Sequence, residues 1–242
     1  MEKLQDPVLR RALIDEAEEA DRRLRAIQAG VGGNPAKLIV YGVGNNPALE
    51  KYLGKSVGAI AEEQNKHHIE AMLDLSVEGN LEVEFLGPDK GSNAEFMAEM
   101  MNDYSYTIPG VSDGGAHTKF FCGGSYTTDF LTWLVRDEQV ISLEEAHYRL
   151  SNLPAKAAGL KDRGVLRVGG AADIVVYDMD SLSIDPPWIG NIEHDFPANE
   201  WRRVQRAIGY DVIMVNGVVT FESGKCTGAT PGKLLRHGSA NA

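Results

Sequence analysis

The stretch of this sequence best furnished for chemistry is Val111-Ser-Asp-Gly-Gly-Ala-His117. Its aspartate, Asp113, falls where a short strand near Tyr106–Val111 should end and a loop begin. In parallel α/β folds and β/α barrels, the carboxyl ends of the strands carry the active sites. A carboxylate there can ligate a metal and take a proton from the metal-bound water. Gly114 and Gly115 leave room for a ligand, and His117 closes the motif. From position alone a simple turn is the commoner explanation of Asp113-Gly114, since aspartate readily bonds its own backbone two residues on. A lone loop histidine is usually just hydrogen-bonded.

Around this motif the chain reads as helices and strands in alternation. Asp6 can cap a first helix with Pro7 in its first turn. Leu13, Ala17, Ala20, Leu24 and Ile27 form its narrow apolar stripe. Glu18 with Arg22, Glu19 with Arg23 and Asp21 with Arg25 are acid-first pairs four apart, a solvated face. Leu38–Tyr41 reads as a strand closed by glycines and Pro47. Helical patterns follow at 57–63 and 68–77, a second strand at Leu81–Leu86 and a helix at Ala94–Asn102. This repeating β-loop-α order predicts an α/β fold with a parallel sheet. Ser142 and Glu145 make a capping box for a later helix, and Pro154 opens a short one that stops near Gly159. Beyond about residue 160 the texture becomes β-rich. Asp173–Asp178 is a buried-strand pattern, and Val212–Phe221 folds about Asn216-Gly217, a strong hairpin signal.

Composition excludes several function classes. The chain has 242 residues and a net charge of -11, which argues against binding a nucleic-acid backbone. Two cysteines, Cys122 and Cys226, make neither a disulfide framework nor a zinc ribbon, so a reducing cytoplasm is expected. No apolar run reaches the roughly 20 residues that span a bilayer, and the first residues carry no signal-peptide core. Tyr41-Gly-Val-Gly44-Asn-Asn-Pro47 lacks the third glycine of a dinucleotide fingerprint, and Gly54-Lys-Ser56 lacks the upstream glycine of a phosphate loop.

Ser112-Asp-Gly-Gly-Ala-His117 resembles the last barrel-strand motif of the N-acyl-D-amino-acid deacylase branch of the amidohydrolase superfamily. The resemblance continues in order through Thr128–Arg136, Ser142–Ala146, Asn152–Ala155, Gly159–Gly164, Gly169–Asp178, Val215–Gly217 and Thr227–Arg236. Residues 37–110 resemble the two preceding barrel strands more loosely. The resemblance implies the C-terminal part of a metal-dependent (β/α)8 TIM-like barrel, residues 1–160, followed by the C-terminal part of a small β-sandwich, residues 161–242. It also implies hydrolysis of an amide or related C–N bond with zinc as cofactor, and an N-acyl amino acid as small-molecule substrate. Asp113 takes the place of the catalytic, metal-contacting aspartate; Gly114, Gly115 and His117 are carried as substrate-lining positions. Asp173 and Asp178 are expected to be structural.

The departure from the family is as informative as the match. The family's metal site begins with a His-x-His pair, and this sequence has none. Its six histidines are His67, His68, His117, His147, His194 and His237, and none matches a family ligand. One carboxylate does not hold zinc tightly. A barrel takes about 250 residues for eight units, of which this chain offers about three. The expectation is therefore a fragment, inactive without a complementary N-terminal half. The alternative is a non-catalytic subunit that pairs with itself or another chain through exposed sheet edges.

Overall fold

The computed structural model describes residues 2–26, 34–87, 93–103, 107–110, 112, 119, 124–186 and 190–238. The chain divides into two compact units, Met1–Ser92 and Asn93–Ala242. The change of texture at residue 160 is thus not where the compact units part, because helices before it and strands after it share one core.

In the first unit a short helix, α1 (Glu2–Gln5), precedes α2 (Pro7–Ala26). Asp6 caps α2 as its position suggests, its carboxylate accepting from the Val8 N–H at 2.9 Å. The acid-first pairing is realised for Glu19 with Arg23, at 2.8 Å. Glu18 instead lies 3.6 Å from His67. Strand β1 (Ile39–Val43) is followed by helices α3 (Val57–Gln64) and α4 (His68–Glu78), then by strand β2 (Val83–Leu86). Ser56 caps α3 through its hydroxyl, 3.1 Å from the Ala59 N–H. Val40, Val43, Leu49, Ile60 and Leu75 are buried together between the strands and helices.

The expected parallel pairing is corrected here. β1 and β2 are antiparallel, with Ile39 opposite Leu86 and Val43 opposite Val83. A single crossover helix returns a strand parallel to the first. Here the crossover contains two consecutive helices, hinged at Asn65 in the left-handed region (φ 51°). The chain therefore traverses the unit once more and comes back reversed.

The second unit opens with α5 (Ala94–Asp103). The third strand expected near Tyr106–Val111 is not seen in the described part: Thr107–Gly110 belong to no strand. Helix α6 (Tyr126–Asp129) runs into a wide π-helical segment, Phe130–Asp137. Helix α7 (Leu143–His147) begins at the Ser142 cap and passes through a π turn, Tyr148–Asn152, into α8 (Leu153–Ala157). Pro154 lies in the first turn of α8, as expected, and α8 continues without a break from the π turn before it. Proline cannot donate to the carbonyl four residues back and crowds it, and the widened turn just before it relieves that crowding. Gly159 ends the run at φ 72°.

The tail is antiparallel throughout its described strands. Strands β3 (Ile174–Tyr177), β8 (Tyr210–Val215), β9 (Val218–Glu222) and β10 (Lys225–Cys226) form one sheet in the order β10-β9-β8-β3. Two ribbons complete it, β4 (Ser183–Asp185) with β7 (Arg206–Ile208) and β5 (Asn191–Glu193) with β6 (Arg202–Val204). The β8–β9 turn is the anticipated one, with Asn216 at φ 50° and Gly217 at φ 79°. The core of this unit gathers Met101, Phe130, Leu134, Ile141 and Ala146 from the helical half with Leu182 from the tail. Among the described residues no helix is long and apolar enough to cross a membrane.

Candidate functional site

Asp113, Gly114, Gly115 and His117 lie outside the described residues. What the structure does describe is how the chain is held on either side of them. On the upstream side the holder is Arg149, in the π turn after α7. It follows Ala146 by three residues and precedes Leu153 by four, so it points along the buried stripe rather than into solvent. Only 4% of it is exposed. Its Nε donates to Glu145 Oε1 at 2.6 Å, and its Nη1 donates to the carbonyl of Thr107 at 3.0 Å.

On the downstream side the holder is Arg203, in the middle of β6 and 8% exposed. Its Nε donates to the carbonyl of Lys119 at 3.1 Å, and its Nη1 donates to the carbonyl of Gly190 at 3.2 Å. Gly190 is glycine because the ribbon backbones touch there: a Cβ would stand 2.5 Å from the Val204 nitrogen. The Lys119 ammonium pairs with the Glu200 carboxylate at 2.5 Å and lies 5.0 Å from the centre of the Trp201 ring. The Arg203 guanidinium faces the same ring at 5.9 Å. Lys119 holds the Glu200 carboxyl below its ordinary value through that bond and its charge.

A second set of polar contacts ties the helices to the sheet. Thr128 of α6 shares a hydrogen bond with the Tyr210 hydroxyl at 2.9 Å. His147 Nε2 and the Tyr177 hydroxyl are 2.7 Å apart, and the rings of Tyr177 and Tyr210 are 5.9 Å apart. Burial, with Tyr210 nearby, pushes the Tyr177 hydroxyl above its ordinary value. Arg136 reaches the Leu182 carbonyl with Nη1 at 2.6 Å.

The remaining histidines are dispersed. His67 Nδ1 accepts from the Ile69 N–H at 3.3 Å, His194 bonds the Asn199 carbonyl at 2.9 Å, and His237 bonds the Ala158 carbonyl at 3.1 Å. His67 and His68 stack with ring centres 4.2 Å apart. Among the described residues no three His, Cys, Asp or Glu side chains gather as metal ligands. The described residues therefore do not by themselves fit a zinc ion, and ligands would have to come from elsewhere. Asp173 and Asp178 are built into the architecture of the tail. Asp173 accepts from Arg163 and from the Asn216 N–H, and the Asp178 backbone N–H bonds Gly209.

Arg149 and Arg203 were not singled out by the sequence reading. A signal for Arg149 was present, since a charged residue falls on the stripe of Ala146, Leu150 and Leu153. Arg203 gave none: its partner carbonyls are distant in sequence.

The model of the amidohydrolase family matches residues 11–221 of this chain, and the chain belongs to that family. Within it the chain is similar to N-acyl-D-amino-acid deacylases. The N-acyl-D-glutamate deacylase of Alcaligenes xylosoxydans xylosoxydans is 31% identical over 131 residues, covering 54% of this chain and 24% of the relative. The N-acyl-D-aspartate deacylase of the same organism is 28% identical over 117 residues, covering 47% and 20%. A solved D-aminoacylase mutant in complex with copper chloride overlays 83% of this chain and 38% of its own, with 21% identity and a TM-score of 0.44. The match thus spans about a quarter of the first of these relatives.

Proposed function

We propose that this chain is the C-terminal portion of a metal-dependent amidohydrolase that cleaves the amide of an N-acyl-D-amino acid. The observation that carries the reading is the family match over residues 11–221, a span that includes Ser112-Asp-Gly-Gly-Ala-His117. In this reading residues 1–160 correspond to the barrel part of the family, although β1 and β2 pair antiparallel here rather than parallel as barrel strands do, and residues 161–242 are part of a β-sandwich. Asp113 is the reacting carboxylate, taking the proton of the attacking water and returning it to the leaving nitrogen. Gly114 and Gly115 give the substrate room, and His117 lines the site. Zinc is the expected metal, with Asp113 as one ligand and the others outside the described residues of this chain. The place of action is the cytoplasm.

Co-expression with a complementary half bearing a His-x-His pair tests this directly. The assembled protein should hold zinc and hydrolyse N-acyl-D-glutamate, and Asp113→Asn should lower kcat by about a hundredfold or more. The 242-residue chain alone should neither retain stoichiometric zinc nor turn over. Tight zinc and turnover by the isolated chain would overturn the divided-site reading.

A second reading, a non-catalytic pairing subunit, is favoured by one specific feature. Val175, Ile213 and Phe221 stand side by side across β3, β8 and β9, and Val175 and Phe221 are exposed. An apolar row on an exposed sheet is a surface for another chain.

A further inference from the structure

Gly159–Gly164 and Thr227–Arg236 have no part in the chemistry proposed above, yet the fold brings both to the Asn216-Gly217 turn and its surroundings. Residues 228–238 follow β10 without forming helix or strand, and they are largely exposed, Leu234 by 78%. A segment of that kind stays against the fold only where something ties it down. Two points do so. At the first, the Asn216 side chain faces two ways. Arg163 can only donate, so Asn216 presents Oδ1 to it at 2.7 Å, and Nδ2 is left to donate to the Pro231 carbonyl at 2.8 Å. At the second, His237 Nδ1 donates to the Ala158 carbonyl at 3.1 Å, and the Gly238 N–H donates to the Gly159 carbonyl at 3.0 Å.

The last carbonyls of a helix have no donor within it. The carbonyls just past α8 receive theirs from residues 79 positions further along. The seat is shaped for its occupant, because the His237 ring fills the space that a Cβ on Gly159 would need. Gly159 also stands at φ 72°. It therefore serves twice, as the stop of the helical run and as the bed of the ring.

We infer that residues 228–238 are a releasable strap, clasping the β8–β9 turn to the end of α8 and opening as a unit while the hairpin beneath stays folded. A few polar bonds of modest net strength hold it, whereas β8 and β9 are held by a strand ladder on both sides of β8. Segments with exposed bonds and little apolar burial occupy the low-stability end of local unfolding. Closed, the strap supplies the donors at the helix end; open, it leaves the Ala158 and Gly159 carbonyls to water. The device is independent of the amide chemistry proposed above.

Trypsin reads the open state, since Lys233 lies within the strap and away from either anchor. Cleavage of a segment that opens and recloses quickly tracks its open population. On the 242-residue chain, His237→Ala removes a bond and the ring, and should speed cleavage after Lys233 about fivefold. Gly159→Ala puts a methyl group against the ring at a left-handed φ, and should speed it about tenfold. In both variants amide exchange should quicken in peptides covering 153–160 and 231–238 and stay within about twofold in 210–222. Combined, the two substitutions should give less than the product of their single effects, because without the ring the added methyl no longer obstructs the strap. His237 is exposed, so His237→Ala keeps the test decisive even if Gly159→Ala loosens the helix end by itself. Cleavage in the parent as fast as in the variants, exchange in 210–222 rising in step with the strap, or fully multiplicative effects would each overturn the inference.

Discussion

Asp173 shows how one side chain can join three segments of the tail. One carboxylate oxygen accepts from Arg163, the other from the Asn216 N–H at 2.8 Å, and Arg163 also reaches Asn216 Oδ1 at 2.7 Å. Asn216 in turn donates to the Pro231 carbonyl at 2.8 Å. Burial pushes the Asp173 carboxyl up, but the Asn216 N–H and the Arg163 guanidinium outweigh it and hold the carboxyl below its ordinary value. A lowered carboxyl stabilises the fold above the unfolded value of about 3.9, and the benefit is lost as pH falls through the folded value. Asp173→Asn should therefore destabilise the second unit by about 1–2 kcal/mol at pH 7, the lower end reflecting partial solvent screening. The difference from the parent should shrink as pH drops below about 4. Urea unfolding at several pH values measures both; a penalty independent of pH would assign the effect to geometry, not charge. Gly217 is a simpler case. Its φ of 79° disfavours any side chain, although a Cβ would meet only Ala172 at 3.8 Å. Gly217→Ala should cost about 1–2 kcal/mol by torsion alone, read as a lowered midpoint in thermal unfolding.

At the scale of elements, the first unit depends on an ion-pair junction between α2, α4 and the α3–α4 turn. Asp74 receives Arg10 at 2.5 Å and Lys66 at 2.6 Å. Burial again pushes the Asp74 carboxyl up, and the bonds from Lys66 and Arg10 more than offset it, leaving it lowered. Asp74→Asn should loosen α2 from α4 at a cost of about 1–2 kcal/mol. Faster amide exchange in α2 than in α3 would report it; equal exchange in both would refute this local role. Helix positions in this unit were legible to within a residue or two, because capping side chains and apolar spacing are local properties. Asp6 sits where α2 begins, as Ser142 does for α7 in the second unit. The direction of β2 was not legible, because the two helical patterns before it do not by themselves say in which sense the chain returns to the sheet. Nor were the π segments, Phe130–Asp137 and Tyr148–Asn152, since a single widened turn has no residue preference of its own to announce it.

For the molecule as a whole, the apolar row of Val175, Ile213 and Phe221 sits on a chain of net charge -11. Like charge keeps copies apart at low salt, and screening shortens that repulsion to about 10 Å at 0.1 M. The isolated chain should therefore associate more as salt rises, and Val175→Lys should suppress it. Multi-angle light scattering across a salt series decides this; a monomer at every salt concentration would rule out the row as a pairing surface. The candidate site was legible as a motif, since Asp113 and its glycines are contiguous. The contacts of Arg149 and Arg203 were not, since they meet the Thr107 and Lys119 carbonyls across 42 and 84 residues.

By itself the sequence determined the family, the helix starts, the Asn216-Gly217 turn and the β-rich tail. Each follows from residue identity over a few neighbouring positions, or from motifs kept in order. Only the tertiary structure decided that β1 and β2 run antiparallel, that the compact units divide at Ser92 rather than near 160, and that two buried arginines reach the backbone on either side of Asp113. The reason is physical. Chain direction, shared cores and long-range hydrogen bonds are properties of segments brought together by folding, and no local run of residues encodes which distant carbonyl a guanidinium will meet.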